Sequence, residues 1–182
     1  MPRTKVIIAG PKSSGKTCLA LILTKKPFPD TYVPIVFQPQ VFDVTDGAEQ
    51  HEIVLEVMDE TDLKSAIGPQ EVNVILLCIG VNDPKGITRM ELWVHKLKTL
   101  FTNSRLILVG TKCDLERAPN SSALARAYDR TMADSQRTSA YVECSARTQY
   151  GISDLVKAVL EPAVTNVTPT FASKVMDLCL IQ

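Results

Sequence analysis

The sequence has no surplus of either charge: lysine plus arginine number 20, and aspartate plus glutamate number 20. Without an overall basic field there is nothing to draw in nucleic acid, which is therefore not expected as a partner. There is no CxxC pair and no cysteine–histidine spacing suited to zinc. The five cysteines, Cys18, Cys78, Cys113, Cys144 and Cys179, are an odd number, and they read as reduced cytosolic thiols rather than a disulfide frame. No apolar run approaches the roughly 20 residues that cross a bilayer, Val74 to Val81 being typical of the longest. The opening MPRTKVIIAG meets Gly10 and Pro11 too early for a secretory signal. Repeats and low-complexity tracts are also lacking. What remains, 182 residues with 45% apolar and 22% charged content, is the composition of one folded soluble domain. A cytoplasmic location follows, with any membrane contact made through an anchor.

Lys5 to Ala9 is a β-branched apolar run of the kind buried on both faces of a sheet, followed by glycine and a helical pattern from Lys16 to Lys25. Val41 to Val44 and Ile53 to Met58 read as a hairpin about Asp46-Gly47, with Pro39 confining the first strand to an edge. Val72 to Ile79, Leu106 to Val109 and Ala140 to Cys144 are further strands. Helical stretches run from Ile87 to Leu100, with a stripe through Met90, Trp93 and Leu97, from Ser122 to Ala133, and from Ile152 to Leu160. This alternation predicts an α/β fold with a mostly parallel six-stranded sheet, one antiparallel edge strand, and helices on both faces. Residues 1–163 are expected to form the domain. Residues 164–182 lose periodicity and read as a flexible tail.

The segment GPKSSGKT, Gly10 to Thr17, has the spacing GxxxxGK[ST] of a phosphate-binding P-loop. Glycines let backbone N–H groups wrap phosphates, Lys16 neutralises their oxygens, and Thr17 offers a hydroxyl to magnesium. After the strand LILVG comes Thr111-Lys112-Cys113-Asp114. A carboxylate at Asp114 can accept two hydrogen bonds from guanine, from the ring N–H and the exocyclic amine, and adenine offers no such pair. Glu143-Cys144-Ser145-Ala146 closes the next strand. There the Ala146 N–H could reach the guanine carbonyl while Ser145 orders the loop.

Together these segments resemble the Ras superfamily of small GTPases with their P-loop NTPase fold, and GKTC, FPDTYVP, LILVGTKCDL and YVECSA look most like the Rho and Rac branch. The resemblance spans Lys5 to Leu160. It implies GTP or GDP with Mg2+ as cofactors, and nucleotide contacts at Lys12, Ser13, Ser14, Gly15, Lys16, Thr17, Cys18, Phe28, Thr111, Lys112, Asp114, Ser145 and Ala146. It further implies Thr17 and Asp59 as metal ligands, with Phe28 packing on the base and Trp93 matching a tryptophan of the family's third helix.

The chain departs from the family where the γ-phosphate is sensed. The switch I threonine that coordinates magnesium is matched by Ile35, which has no oxygen to give. In DETDL, matched to the family's DxxGQ, Asp59 is kept, but the glycine becomes Asp62 and the water-positioning glutamine becomes Leu63. Aspartate beside phosphate adds repulsion, and leucine cannot orient water. Lys12 stands where the family has glycine and would obstruct an arginine finger worth roughly 10³- to 10⁵-fold in rate, although its ammonium could also bind phosphate. No catalytic residue is assigned. The stretch from Asp59 to Val74 is shorter than in Rho proteins. Glu116 to Thr138 is shorter than their insert and longer than the Ras connection.

Cys179-Leu180-Ile181-Gln182 fits a CaaX prenylation signal at Cys179. One lipid without a polybasic partner gives marginal, reversible attachment. The expected molecule is therefore a monomeric, atypical Rho-like GTP-binding protein that hydrolyses poorly, sits reversibly on the cytoplasmic face of membranes, and meets effectors through its switch surface. Exchange factors or chaperones are further partners of that surface. Two alternatives are a pseudo-GTPase scaffold that binds no nucleotide, favoured by Asp62 and the short switch, and a conventional hydrolysing switch using Glu60 or Asp62.

Overall fold

The computed structural model describes residues 2–29, 38–47, 49–59, 71–126 and 138–161. In chain order the elements are β1 (Arg3–Ala9), α1 (Lys16–Leu23), β2 (Gln40–Asp46), β3 (Glu49–Val57), β4 (Val74–Gly80), α2 (Pro84–Leu100), β5 (Arg105–Thr111), β6 (Thr138–Glu143) and α3 (Ile152–Leu160). The strands form one sheet in the order β2-β3-β1-β4-β5-β6. Only β2 is antiparallel to its neighbour, with Val41 opposite Val54 and Asp46 opposite Glu49. The expected hairpin and antiparallel edge are therefore both present.

The central strand β4, VILLCIG, is buried along its whole length, as a parallel strand covered on both faces must be. One face of the sheet packs on α2 through Ile87, Met90, Trp93 and Leu97. The other packs on α1 and α3 through Leu19, Ala20, Leu155, Ala158 and Val159. Each Leu, Ile, Val or Met among them contributes about 1.5–3 kcal/mol when fully buried, so the two helical layers fix the sheet from both sides.

Element ends differ from the sequence expectation for local reasons. Helix α2 starts three residues early because Asp83 caps it, its side chain accepting the Lys85 N–H at 3.1 Å, with Pro84 in the first turn. Helix α1 stops at Leu23 rather than Lys25. Lys25 adopts φ 59°, and the Lys26 and Lys25 N–H groups turn back to the Leu21 and Ile22 carbonyls at 2.8 and 2.9 Å, a Schellman ending without its usual glycine. Val72 lies outside β4, its carbonyl accepting instead from Ser104 Oγ at 2.6 Å. Of the helix expected over Ser122 to Ala133, residues 122–126 are helical and the rest lies outside the described residues.

Candidate functional site

Strand β1 lies between β3 and β4, where the direction of strand order reverses, and the loop after it opens at the carboxyl ends of the parallel strands. Gly10, with φ 143°, presses so close to β4 that a Cβ there would stand 2.2 Å from the Cys78 carbonyl oxygen. The loop then turns through Ser13 (φ 63°) to Gly15 (φ 88°), which opens α1 without a side-chain cap. A helix start of this kind suits an anion. Lys16 lies buried beneath the loop, its Nζ donating to the Gly10 and Pro11 carbonyls at 2.9 and 2.8 Å. Thr17 is half-buried in the first helical turn, whereas Lys12 and Ser13 are exposed. Ser14 is 1% exposed, and its Oγ has no hydrogen-bond partner.

The second end of the site is built from the exits of β5 and β6. Thr111 Oγ1 donates to the Ser14 carbonyl at 2.5 Å across 97 residues of chain, tying this end to the phosphate loop. Lys112 adopts φ 60°, a conformation that disfavours residues with a Cβ and persists where the surroundings enforce it. The Cys113 N–H donates to the Cys144 carbonyl at 3.3 Å, and the Leu115 N–H to that of Lys112 at 3.0 Å. Asp114 projects from this turn, exposed. Ser145 is wholly buried; its Oγ accepts the Thr148 N–H at 3.1 Å and its own N–H donates to the Tyr150 carbonyl at 3.0 Å. These bonds close the loop from Ser145 to Tyr150 on itself.

Between the two ends lies a cavity of about 200 Å³ bounded by Gly15, Cys18, Phe28, Thr111, Lys112, Asp114 and Ala146. Residues 83 or more positions apart, from Phe28 to Thr111 and beyond, thus meet around one space. Leu19, Leu115, Cys144 and Arg147 complete the wall; the sequence reading missed these four, though three of them directly adjoin its motifs. Burial pushes the Cys18 thiol up despite the opposing charge of Lys112. Burial, reinforced by Cys113 and Glu143, pushes Cys144 up to about 12. Both thiols are therefore neutral at physiological pH, and the charges around the cavity are those of Lys112, Asp114 and Arg147. A larger cavity of about 250 Å³ lies between α2 and residues 120–126, but none of the motif residues reaches it.

Glu143 accepts from Arg117 through both carboxylate oxygens, Nη1 to Oε1 at 3.0 Å and Nη2 closely on Oε2. Tyr141 donates its hydroxyl to Oε1 at 2.5 Å. Burial alone would raise the Glu143 carboxyl, but the hydrogen bonds from Arg117 and Tyr141, with the Arg117 charge, outweigh it and hold the group below the ordinary carboxylate range. No motif announces the Arg117 contact, which joins residues 26 apart, whereas Tyr141 opens the YVECSA segment itself and lies two residues from Glu143.

Asp59 lies two residues beyond β3, whose Val57 pairs with Ile8 of β1. Asp59 therefore leaves the sheet at the same carboxyl end from which the loop to Thr17 departs. The donor set fits a magnesium nucleotide: N–H groups at a helix start and an ammonium suit phosphates, and a hydroxyl with a carboxylate are the hard oxygens magnesium takes alongside phosphate oxygens. Ile35, Glu60, Asp62, Leu63 and Cys179 lie outside the described residues. Among the described residues, no helix is long and apolar enough to cross a membrane.

The Ras family model matches residues 5–165 of the chain. The chain is 31% identical over 169 residues to the GTP-binding protein Rho1 of Kluyveromyces lactis, a match covering 86% of this chain and 81% of that protein. It is 30% identical to its counterpart in Eremothecium gossypii, with 86% and 82% covered. To that of Saccharomyces cerevisiae it is 28% identical over 181 residues, with 92% and 87% covered. Sheet order, loop geometry and these likenesses agree: the chain belongs to the Ras family of small GTPases, in its Rho branch.

Proposed function

We propose that this chain is a GTP-binding signalling protein that holds GTP or GDP with Mg2+, hydrolyses GTP weakly or not at all, and recruits effector proteins at membranes. The observation that carries the binding part is the cavity itself, where Gly15 and Cys18 of the phosphate end face Thr111, Lys112, Asp114 and Ala146 of the base end. In this reading the N–H groups of residues 13–17 and the Lys16 ammonium hold the phosphates, with Ser13, Ser14 and Lys12 along their path. Thr17 and Asp59 hold magnesium, which supplies charge neutralisation to the phosphates. Phe28 covers the base, Asp114 reads its N–H and amine, and Ala146, set by Ser145, reads its carbonyl.

Weak hydrolysis rests on four residues. Lys12 is exposed on the loop surface, where an arginine finger would approach. Ile35, Asp62 and Leu63 remove a magnesium ligand, a phosphate-contacting glycine and a water-positioning amide from the family's pattern. Residues 1–163 form the nucleotide-binding unit in this proposal. The tail carries CLIQ, with Cys179 available for a prenyl group and reversible membrane contact.

The reading is tested by releasing and identifying the nucleotide that the purified protein carries, then following added GTP in a single turnover. Bound guanine nucleotide with GTP persisting well beyond the lifetime seen in hydrolysing small GTPases is expected. Turnover at their ordinary rate would remove the weak-hydrolysis part. An empty protein with no thermal shift on adding Mg2+ and GTP would remove the binding part and leave an interaction scaffold.

A further inference from the structure

The exposed turn that carries Asp114 has few anchors of its own. Asp114, Leu115, Glu116 and Arg117 are all exposed. Lys112 at its start holds a left-handed conformation that costs about 1–2 kcal/mol and must be enforced from outside the turn. Backbone bonds from Cys113 to Cys144 and from Ala118 to Val81, at 3.3 and 2.9 Å, fix its two ends. Between them, the side-chain hydrogen bonds from Arg117 to Glu143 join the turn to the end of β6. Glu143 immediately precedes Cys144, Ser145 and Ala146, so the residue that Arg117 grips leads directly into the second segment that faces the cavity.

We propose that Arg117, Glu143 and Tyr141 form a positioning clamp that sets base selectivity and nucleotide residence time by holding the Asp114 turn against the Ser145–Ala146 loop. The proposal rests on the guanine-nucleotide reading of the cavity. An exposed ion pair is ordinarily worth little to stability, and Arg117 is half-exposed, with 50% of its side-chain surface accessible. Its geometry is the unusual feature. The guanidinium engages both carboxylate oxygens, a fork that restricts orientation as well as distance. Tyr141, rising from within β6 and packed against the core beside α2, donates to the same Oε1 that Arg117 Nη1 engages. Glu143 is thereby held by a partner more buried than Arg117, which restrains its carboxylate from following the turn. Cutting this contact frees an exposed turn without opening the core, so it acts on Asp114 far more than on global stability.

The consequence is specific to the base. Asp114 distinguishes guanine from hypoxanthine through the exocyclic amine that hypoxanthine lacks. A turn that wanders loses this second hydrogen bond first, whereas phosphate contacts at the other end of the cavity are unchanged. Neither Arg117 nor Tyr141 lines the cavity, which separates positioning from direct contact.

The test uses the full chain and measures release of fluorescent GDP and IDP, together with the melting temperature, for the wild type and for Arg117→Met, Arg117→Lys and Tyr141→Phe. Arg117→Met, which keeps the apolar stem, is expected to speed GDP release about tenfold and IDP release much less, narrowing the GDP/IDP ratio with a Tm change under about 3 °C. Arg117→Lys restores charge without the fork and recovers part of the ratio. Tyr141→Phe narrows it in the same direction by a smaller factor. Wild-type release rates and an unchanged ratio in Arg117→Met overturn the clamp, as does equal acceleration of both nucleotides with a large fall in Tm, which marks a merely structural pair. A wild-type chain that binds neither nucleotide overturns the nucleotide reading and the clamp together. That outcome is distinguishable, because in the clamp's own failure the wild type still binds and selects.

Discussion

The two ends of the cavity are built by opposite means. At the phosphate end the backbone does almost everything: Gly10 lies against β4, Ser13 and Gly15 carry positive φ, and the Lys16 ammonium is held by the carbonyls of Gly10 and Pro11. At the base end side chains do the work, through Thr111 on Ser14, Ser145 on Thr148, and Arg117 with Tyr141 on Glu143. A phosphate is the same in every nucleotide and can be met by N–H groups that any residue supplies, so its loop needs only the right path. A base must be told from other bases, so its end needs particular donors and acceptors in fixed places. The two ends should accordingly fail in different ways when cut.

The largest effect is expected from breaking the path of the phosphate end. Gly10→Ala sets a methyl group 2.2 Å from the Cys78 carbonyl, and fixed backbone on both sides leaves no room to relieve it. A stability loss of more than about 3 kcal/mol is expected, read as a fall in Tm on the order of 10 °C. A variant that melts within about 2 °C of the wild type would show that the loop is not held against β4.

Cutting the tie between the ends comes next. Thr111→Val keeps the side-chain shape, removes the bond to the Ser14 carbonyl, and leaves a buried acceptor unpartnered. About 1–3 kcal/mol should be lost, with faster nucleotide release, since the base end would no longer be registered on the phosphate loop. An unchanged release rate in this variant would mean that the two ends are positioned independently.

The smallest effect has the opposite sign. Ser14 Oγ is buried without a partner, so Ser14→Ala removes a desolvated hydroxyl that gives nothing back. Tm should hold or rise by up to about 3 °C. A clear fall would show that the hydroxyl is used, for instance by a bound water.

The sheet, its antiparallel edge and both helical layers were legible in the sequence, because buried parallel strands such as Val74 to Gly80 and the stripe through Met90, Trp93 and Leu97 carry strong periodic signals. Motif spacing located both ends of the site for the same reason that the chemistry requires it. What was not legible depends on contacts between distant residues. The Arg117 fork on Glu143 joins a turn to a strand 26 residues later, and no local pattern announces it. Helix ends shifted where a cap or a left-handed residue, Asp83 or Lys25, overrode the apolar period. Ser14 matched the motif's free positions, and only burial shows it to be an orphan.

The central claim is that the base end reads guanine through Asp114, and exchanging that one acceptor for a donor tests it most directly. Xanthine carries a carbonyl where guanine carries its amine, so Asp114→Asn presents an amide N–H to an acceptor that the wild-type carboxylate would repel. Competition of GDP against XDP should show the wild type preferring GDP and Asp114→Asn reversing the order, with both proteins retaining their Mg2+-dependent affinity for phosphates. A variant whose GDP and XDP affinities remain in the wild-type order would contradict the account, because Asp114 would then lie at the cavity without reading what occupies it.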